Sequence, residues 1–219
     1  MKKILALIMA ALMLLSLSAC SATEDTVAAL VQGNLDEVYL GKFSEEYMEL
    51  VDSSLEECEK DYEMGLYTEA ETFCYYFSVE YPDDALMEEI VEMYKDIYAL
   101  SKYTIGESSK LDSDTYVVQV EIYPIDVLEL VDEKWDDGMA AFYEKYANAD
   151  ISTMSDEEYE AFDHDWARAI IALVYDQLPY ADYHEPVSIA VQVDKNSDGY
   201  WMINGDDFYN IDEQIIYYP

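Results

Sequence analysis

Positive charge is what this chain has least of for its size: 11 lysines and arginines stand against 49 aspartates and glutamates in 219 residues. Nucleic acid is thereby excluded as a partner, because a phosphate backbone needs a basic stripe. Histidine is scarcer still. His164 and His184 each have carboxylates nearby in sequence, but two isolated histidines do not make the three- or four-ligand spacing of zinc, and both read as solvated residues. With 7 glycines and 5 prolines there is no Pro-rich linker, no low-complexity run and no glycine-rich phosphate loop. No serine stands in a nucleophile elbow, so no catalytic spacing is legible. Long apolar runs are missing too. The stretch Ile4 to Leu15 holds 12 residues, well short of the roughly 20 that cross a hydrocarbon core.

What is present begins with that stretch. Lys2 and Lys3 precede it, and Leu17-Ser18-Ala19-Cys20 follows, with a leucine three positions before a cysteine at the expected cleavage junction. This pattern predicts a lipoprotein signal over residues 1–19, with acyl chains added to Cys20 and the protein held to the outer face of a cell membrane. Two acyl chains on one cysteine anchor stably where a single chain would exchange. Residues 20–23 then form a tether reaching at most about 14 Å at ~3.5 Å per residue, and residues 24–219 form a single domain. Loss of Lys2 and Lys3 leaves 9 basic residues against 49 acidic ones, a net charge of −40. The folded part is therefore not expected to lie on anionic lipid. Acidic pairs such as Glu45-Glu46 and Asp136-Asp137 read as solvated helix faces.

Hydrophobic residues make up 52% of the chain, too many for an acidic disordered tail. Helical periodicity marks Glu24 to Gln32, a break at Gly33-Asn34, and a short piece through Tyr39. From Ser44, Tyr47, Leu50, Val51, Leu55, Cys58 and Tyr62 share a helical face. Thr68-Glu69-Ala70-Glu71 reads as a capping box opening a new helix that buries Phe73, Cys74, Phe77 and Tyr81. The next helix, from Asp83 or Asp84, turns Leu86, Ile90, Met93, Tyr94 and Ile97 inward. The period then changes. Lys102 to Glu107 and Tyr116 to Tyr123 read as a hairpin around the turn Leu111 to Asp114. Two long helices are expected, Asp126 to Ala147 and Ser155 to Gln177, the second opened by a Ser155/Glu158 capping box. A second hairpin pairs Val187 to Val193 with Tyr200 to Ile203. The fold class is α+β: a helical N-terminal half, with helices packed on one face of a small antiparallel sheet made of two hairpins.

Three groups of residues invite a chemical reading. Cys58 and Cys74 each lie eight residues from Leu66, in the middle of an expected turn Met64 to Thr68, so antiparallel helices joined there would bring their sulfurs level. A Cys58–Cys74 disulfide is expected outside the cytoplasm, with a stabilisation of roughly 3 kcal/mol. Asp194-Lys195-Asn196-Ser197-Asp198-Gly199 matches the first six positions of a calcium loop, with Asp194, Asn196 and Asp198 as ligands. Position 12 of that loop is Gly205 rather than a carboxylate, and Asn, Asp and Gly are equally what a tight hairpin needs. The 22 tyrosines offer apolar area with a polar handle, suited to a sugar- or peptide-binding surface. Most fall at inward positions, which predicts core packing.

Tyr98 to Gly106, Tyr116 to Val120 running on to Tyr123-Pro124-Ile125, and Gly199-Tyr200-Trp201-Met202-Ile203 together resemble the small uncharacterised lipoproteins of clostridial-type Gram-positive bacteria. That resemblance covers most of the mature chain. It implies a domain of unknown function comparable with NTF2-like or cystatin-like α+β folds, and it supplies no catalytic residues. The stretch Asp126 to Gln177 between the strand pairs departs from an NTF2-like cone and argues against one enclosed pocket. The expected role is a membrane-anchored domain binding a protein, peptide or glycan of the envelope. A small-molecule-binding or enzymatic pocket, with a tyrosine and a carboxylate as acid and base, is the alternative; a calcium-responsive adhesion module is a second.

Overall fold

The structure is a computed structural model and describes residues 22–219. The signal segment, the Leu17 to Cys20 motif and the lipidation site lie outside the described residues. Four strands, β1 (Lys102–Lys110), β2 (Thr115–Tyr123), β3 (Val187–Lys195) and β4 (Trp201–Ile203), form one antiparallel sheet in the order β1-β2-β3-β4. The two expected hairpins are thus fused. Thr115 pairs with Asp194, and the register runs through to Ile122 with Val187. Val118, Val120 and Ile122 of β2 and Val191 and Val193 of β3 are fully buried, while Gln119, Ala190 and Gln192 between them face solvent. One face of the sheet is therefore core, as the alternating pattern requires.

Helix α1 (Glu24–Leu40) lies across β1 and β2. It does not break at Gly33-Asn34, contrary to the sequence reading. A side chain at Gly33 would meet the Tyr47 ring at 2.2 Å, so the missing Cβ is what lets α2 (Glu45–Val51) pack against α1. Tertiary contact here overrides a local breaker signal.

The larger correction concerns α3 (Leu55–Phe77), one continuous helix with no turn at Met64 to Thr68. The Thr68 hydroxyl donates back to the Met64 carbonyl at 3.0 Å instead of capping a new helix. The capping box that does operate is Ser54/Glu57, after a break at Asp52 with φ of 52°. Cys58 and Cys74 consequently sit on one helix, about 24 Å apart along its axis at 1.5 Å per residue, far beyond the reach of a disulfide. Both are buried and free. Denatured without reductant, the protein should therefore yield both thiols to alkylation; thiols that emerge only after reduction would contradict this arrangement.

Helix α4 (Asp84–Tyr98) buries Leu86, Ile90, Met93, Tyr94 and Ile97 as expected. The expected helix over 126–147 is three short ones: α5 (Val127–Glu133), α6 (Trp135–Gly138) and α7 (Ala140–Tyr146). The chain bends at Met139, which is fully buried, and a Cβ on Gly138 would meet Leu173 at 2.4 Å. Helix α8 (Asp156–Gln177) opens on the Ser155/Glu158 capping box, as read from sequence. A last helix, α9 (Gly205–Ile215), packs on β2 and β3 and had no counterpart in the sequence reading. Residues 216–219 continue past it, tied down by Ile125 N–H to the Ile215 carbonyl and Tyr217 N–H to the Ile125 carbonyl.

Candidate functional site

A cavity of about 360 Å³ opens in the helical layer. Helix α3 supplies Thr72, Phe73 and Tyr76; α4 supplies Met93, Tyr94 and Ile97. Opposite them stand Val131 and Trp135 from α5 and α6, with Ile170 and Val174 of α8 behind. Tyr218 and Pro219 form part of the wall, so the segment after α9 borders the space. Its volume and mainly apolar wall fall in the range of small-molecule sites. It lies among helices and not in the hollow of the sheet, which is how the inserted 126–177 region comes to build a pocket.

One end is polar. Glu69 stands one turn before Phe73 on the face of α3 that carries on to Tyr76, and Asp212 stands one turn after Phe208 on α9. The Tyr39 hydroxyl of α1 donates to Asp212 Oδ1 at 3.1 Å. Tyr98 of α4 lies beside Glu69, and its ring meets Tyr39 edge-on at 5.3 Å and Tyr94 at 6.0 Å. Both residues keep partial solvent contact. Loss of hydration pushes both up from the ordinary carboxylate range, Glu69 the further, and the Asp212 charge adds to the effect on Glu69. Burial likewise raises the Tyr39, Tyr94 and Tyr98 phenols, so they remain hydrogen-bond donors. The charged groups acting on the pair are acidic: each other, and Glu213 on Asp212. Tyr94 and Tyr218 line the cavity, and the charges of Glu69 and Asp212 help to raise both phenols.

A second buried polar cluster lies between α1, α2 and α3. Glu37 is 2% exposed, and neither of its carboxyl oxygens has a hydrogen-bond partner within bonding geometry; Asn34 Oδ1 beside it is also unpaired. The Tyr47 hydroxyl and the Cys58 thiol stand nearest. Burial, with a smaller contribution from the Asp61 charge, pushes Glu37 up to about 7.

The residues singled out from sequence are placed elsewhere. Asp194 Oδ1 accepts the Thr115 hydroxyl at 2.9 Å, and Asn196 Oδ1 accepts the Asp198 and Tyr200 amides at 2.9 Å each. Two of the three candidate calcium ligands are thus occupied, Asp194 in tying β3 to β2 and Asn196 in holding the β3–β4 turn. No group of three or more His, Cys, Asp or Glu side chains suited to a metal occurs among the described residues. Asp206 and Asp207, out of register for a calcium loop, occupy the first turn of α9 instead, where their amides are capped by Asn204. The tyrosines divide differently from expectation. Tyr39, Tyr47, Tyr94, Tyr98 and Tyr116 are core, but Tyr75, Tyr76, Tyr180 and Tyr218 are largely exposed.

Fold and cavity define a class: a helix-covered antiparallel sheet whose helical layer carries a chamber with a mainly apolar, partly aromatic wall. The family model described as "Domain of unknown function (DUF5105)" matches residues 17–215, and the chain belongs to that family. Its fold is similar to that of YcdA, described as a candidate lipoprotein of Bacillus subtilis strain 168, with a TM-score of 0.61 at 16% identity. The likeness covers 88% of this chain and 56% of that one, so this chain spans little more than half the length of YcdA. No curated protein matches the chain. Among the described residues, no helix is long and apolar enough to cross a membrane.

Proposed function

We propose that the mature chain is a lipoprotein held by Cys20 to the outer face of a Gram-positive cell membrane, and that its domain captures a small ligand in the chamber between α3, α4, α5, α6 and α8. The anchor is supported by the Leu17 to Cys20 pattern, and the description of YcdA agrees with it. Where the described residues begin, the Tyr116 hydroxyl donates to the Ala22 carbonyl at 2.7 Å and Thr23 caps α1, which supports a short tether after Cys20. Replacing Cys20 by alanine is expected to move the protein from the detergent phase to the aqueous phase in Triton X-114 partitioning and to abolish palmitate labelling; a variant retained in the detergent phase would refute the anchor.

The observation carrying the ligand-binding reading is the cavity of about 360 Å³ with a mainly apolar wall that includes Phe73, Tyr76, Phe77 and Trp135. The neutral probe N-phenyl-1-naphthylamine tests it. Its emission should rise saturably at a 1:1 ratio with the mature protein, and Thr72→Trp, which fills the chamber, should remove the rise. Non-saturable emission, or equal binding by the filled variant, would end the reading. The Glu69–Asp212 pair also favours a second reading, acid–base catalysis, because a raised carboxyl beside a second one can serve as proton donor. Turnover lost in Glu69→Gln with ligand binding retained would distinguish catalysis from capture.

A further inference from the structure

We infer that the chamber takes an uncharged ring compound and turns anions away, and that Asp132 is the residue that sets this preference. This rests on the ligand-binding reading above and adds the class of ligand. Three features of the wall select that class.

The first is its charge. Among the described residues that line the cavity, Asp132 in the last turn of α5 is the one charged side chain, and no lysine or arginine joins it. Lys134, two residues on, is exposed and lies outside the wall. An anion entering an apolar chamber loses hydration and needs a basic partner in exchange. Here it meets a carboxylate instead. The second is the shortage of spare donors. The Thr72 hydroxyl donates to the Thr68 carbonyl at 3.0 Å, and Trp135 Nε1 donates at 3.2 Å to the hydroxyl of Tyr143, which is not part of the wall. What remains for a ligand is the phenols of Tyr76, Tyr94 and Tyr218, which can hydrogen-bond a neutral polar group but cannot neutralise a charge. The third is shape. Phe77 and Trp135 both line the space, their ring centroids 6.2 Å apart at an interplanar angle of 11°. Two near-parallel rings offer flat aromatic area against which a further ring can pack.

Asp132 is exposed as well as part of the wall, which places it where the chamber meets solvent. Its effect on an incoming charge is therefore screened by salt and amounts to a few-fold in affinity, while the rings carry the neutral part of binding. The excess of 49 acidic over 11 basic residues also repels anions from the surface as a whole. Substitution at position 132 separates the local effect from the general one, because it alters a net charge of −38 by only one or two.

Two probes with one ring body decide the matter: N-phenyl-1-naphthylamine, and 8-anilinonaphthalene-1-sulfonate, which adds a sulfonate to it. Both are titrated fluorimetrically into the mature protein at pH 8 and about 0.15 M salt, and only the emission that Thr72→Trp removes is counted. In the wild type the neutral probe should bind about tenfold more tightly or better. The ratio of the two affinities should narrow roughly threefold in Asp132→Asn and further in Asp132→Lys, and should keep its wild-type value in Asp132→Glu. Taking the ratio cancels any change in the chamber that both probes share. A sulfonate probe that binds the wild type as tightly as the neutral one overturns the inference and leaves the ligand-binding reading standing. So does a ratio that Asp132→Asn and Asp132→Lys leave unchanged. If neither probe shows emission that the filled variant removes, both fall together.

Discussion

Glu37→Gln is expected to stabilise the protein by about 3 kcal/mol at pH 8 while changing little at pH 4.5. The carboxyl is almost wholly enclosed, and its oxygens have no hydrogen-bond partner to stabilise a charge. The protonated form is therefore favoured in the folded state, where the group titrates at about 7 against an ordinary value of 4.5. In the unfolded chain the proton leaves near 4.5, so between the two values the native state binds more protons than the unfolded one. Stability is then complete below pH 4.5, falls as pH rises, and has lost this contribution by pH 7 and above. A shift of 2.5 units at 1.36 kcal/mol each corresponds to about 3 kcal/mol. Glutamine has the shape of the protonated acid and cannot ionise. The difference in chemical-denaturation midpoint between wild type and variant, followed from pH 4.5 to 8, should grow with pH and level off; a constant or shrinking difference would mean that Glu37 is charged in the folded protein.

Gly33→Ala should destabilise by about 3 kcal/mol, the upper part of the usual range for an overpacked core. In an exposed helix interior the same change stabilises by about 1 kcal/mol, so the sign itself is informative. The new methyl would lie 2.2 Å from Tyr47 Cδ2 and 2.7 Å from its Cβ. A ring tip could swing away, but a Cβ moves only with its backbone. Helix α2 would therefore have to retreat from α1, opening the packing around Tyr47, which is 1% exposed. At roughly 2–4 °C per kcal/mol for a domain of this size, the midpoint should drop by about 6–12 °C. A midpoint equal to or above that of the wild type would show that α1 and α2 are not in the contact described.

These two positions also show what was legible in the sequence. Strand alternation in Val118, Val120 and Ile122 and the Ser155/Glu158 box survive into the structure because each depends on neighbours close in sequence. Gly33-Asn34 and Thr68-Glu71 were misread for one reason: local breaker and capping signals describe what a segment prefers alone. Gly33 is retained in a helix by Tyr47, fourteen residues on, and Thr68 satisfies its hydroxyl within the helix that passes through it. The cysteine pairing failed with the turn it depended on. The acidic site was illegible for a different cause. Tyr39 and Asp212, which share a hydrogen bond, are 173 residues apart, and Glu69 reads from sequence as the first turn of a helix that does not begin there. Only the spacing Glu69, Phe73, Tyr76, read as one continuous helical face, carried a trace of it.

The exposed tyrosines gain a meaning from the same geometry. Tyr76 and Tyr218 project from the borders of the chamber, where an apolar ring with a polar tip suits a surface that meets water and a ligand in turn. The lipid anchor would keep this chamber at the outer membrane surface, within reach of small solutes crossing the wall.

A crystal structure of the mature protein soaked with N-phenyl-1-naphthylamine tests the central claim most directly. The account predicts the probe in the chamber, its rings against Phe77 and Trp135. A chamber without the probe would contradict it.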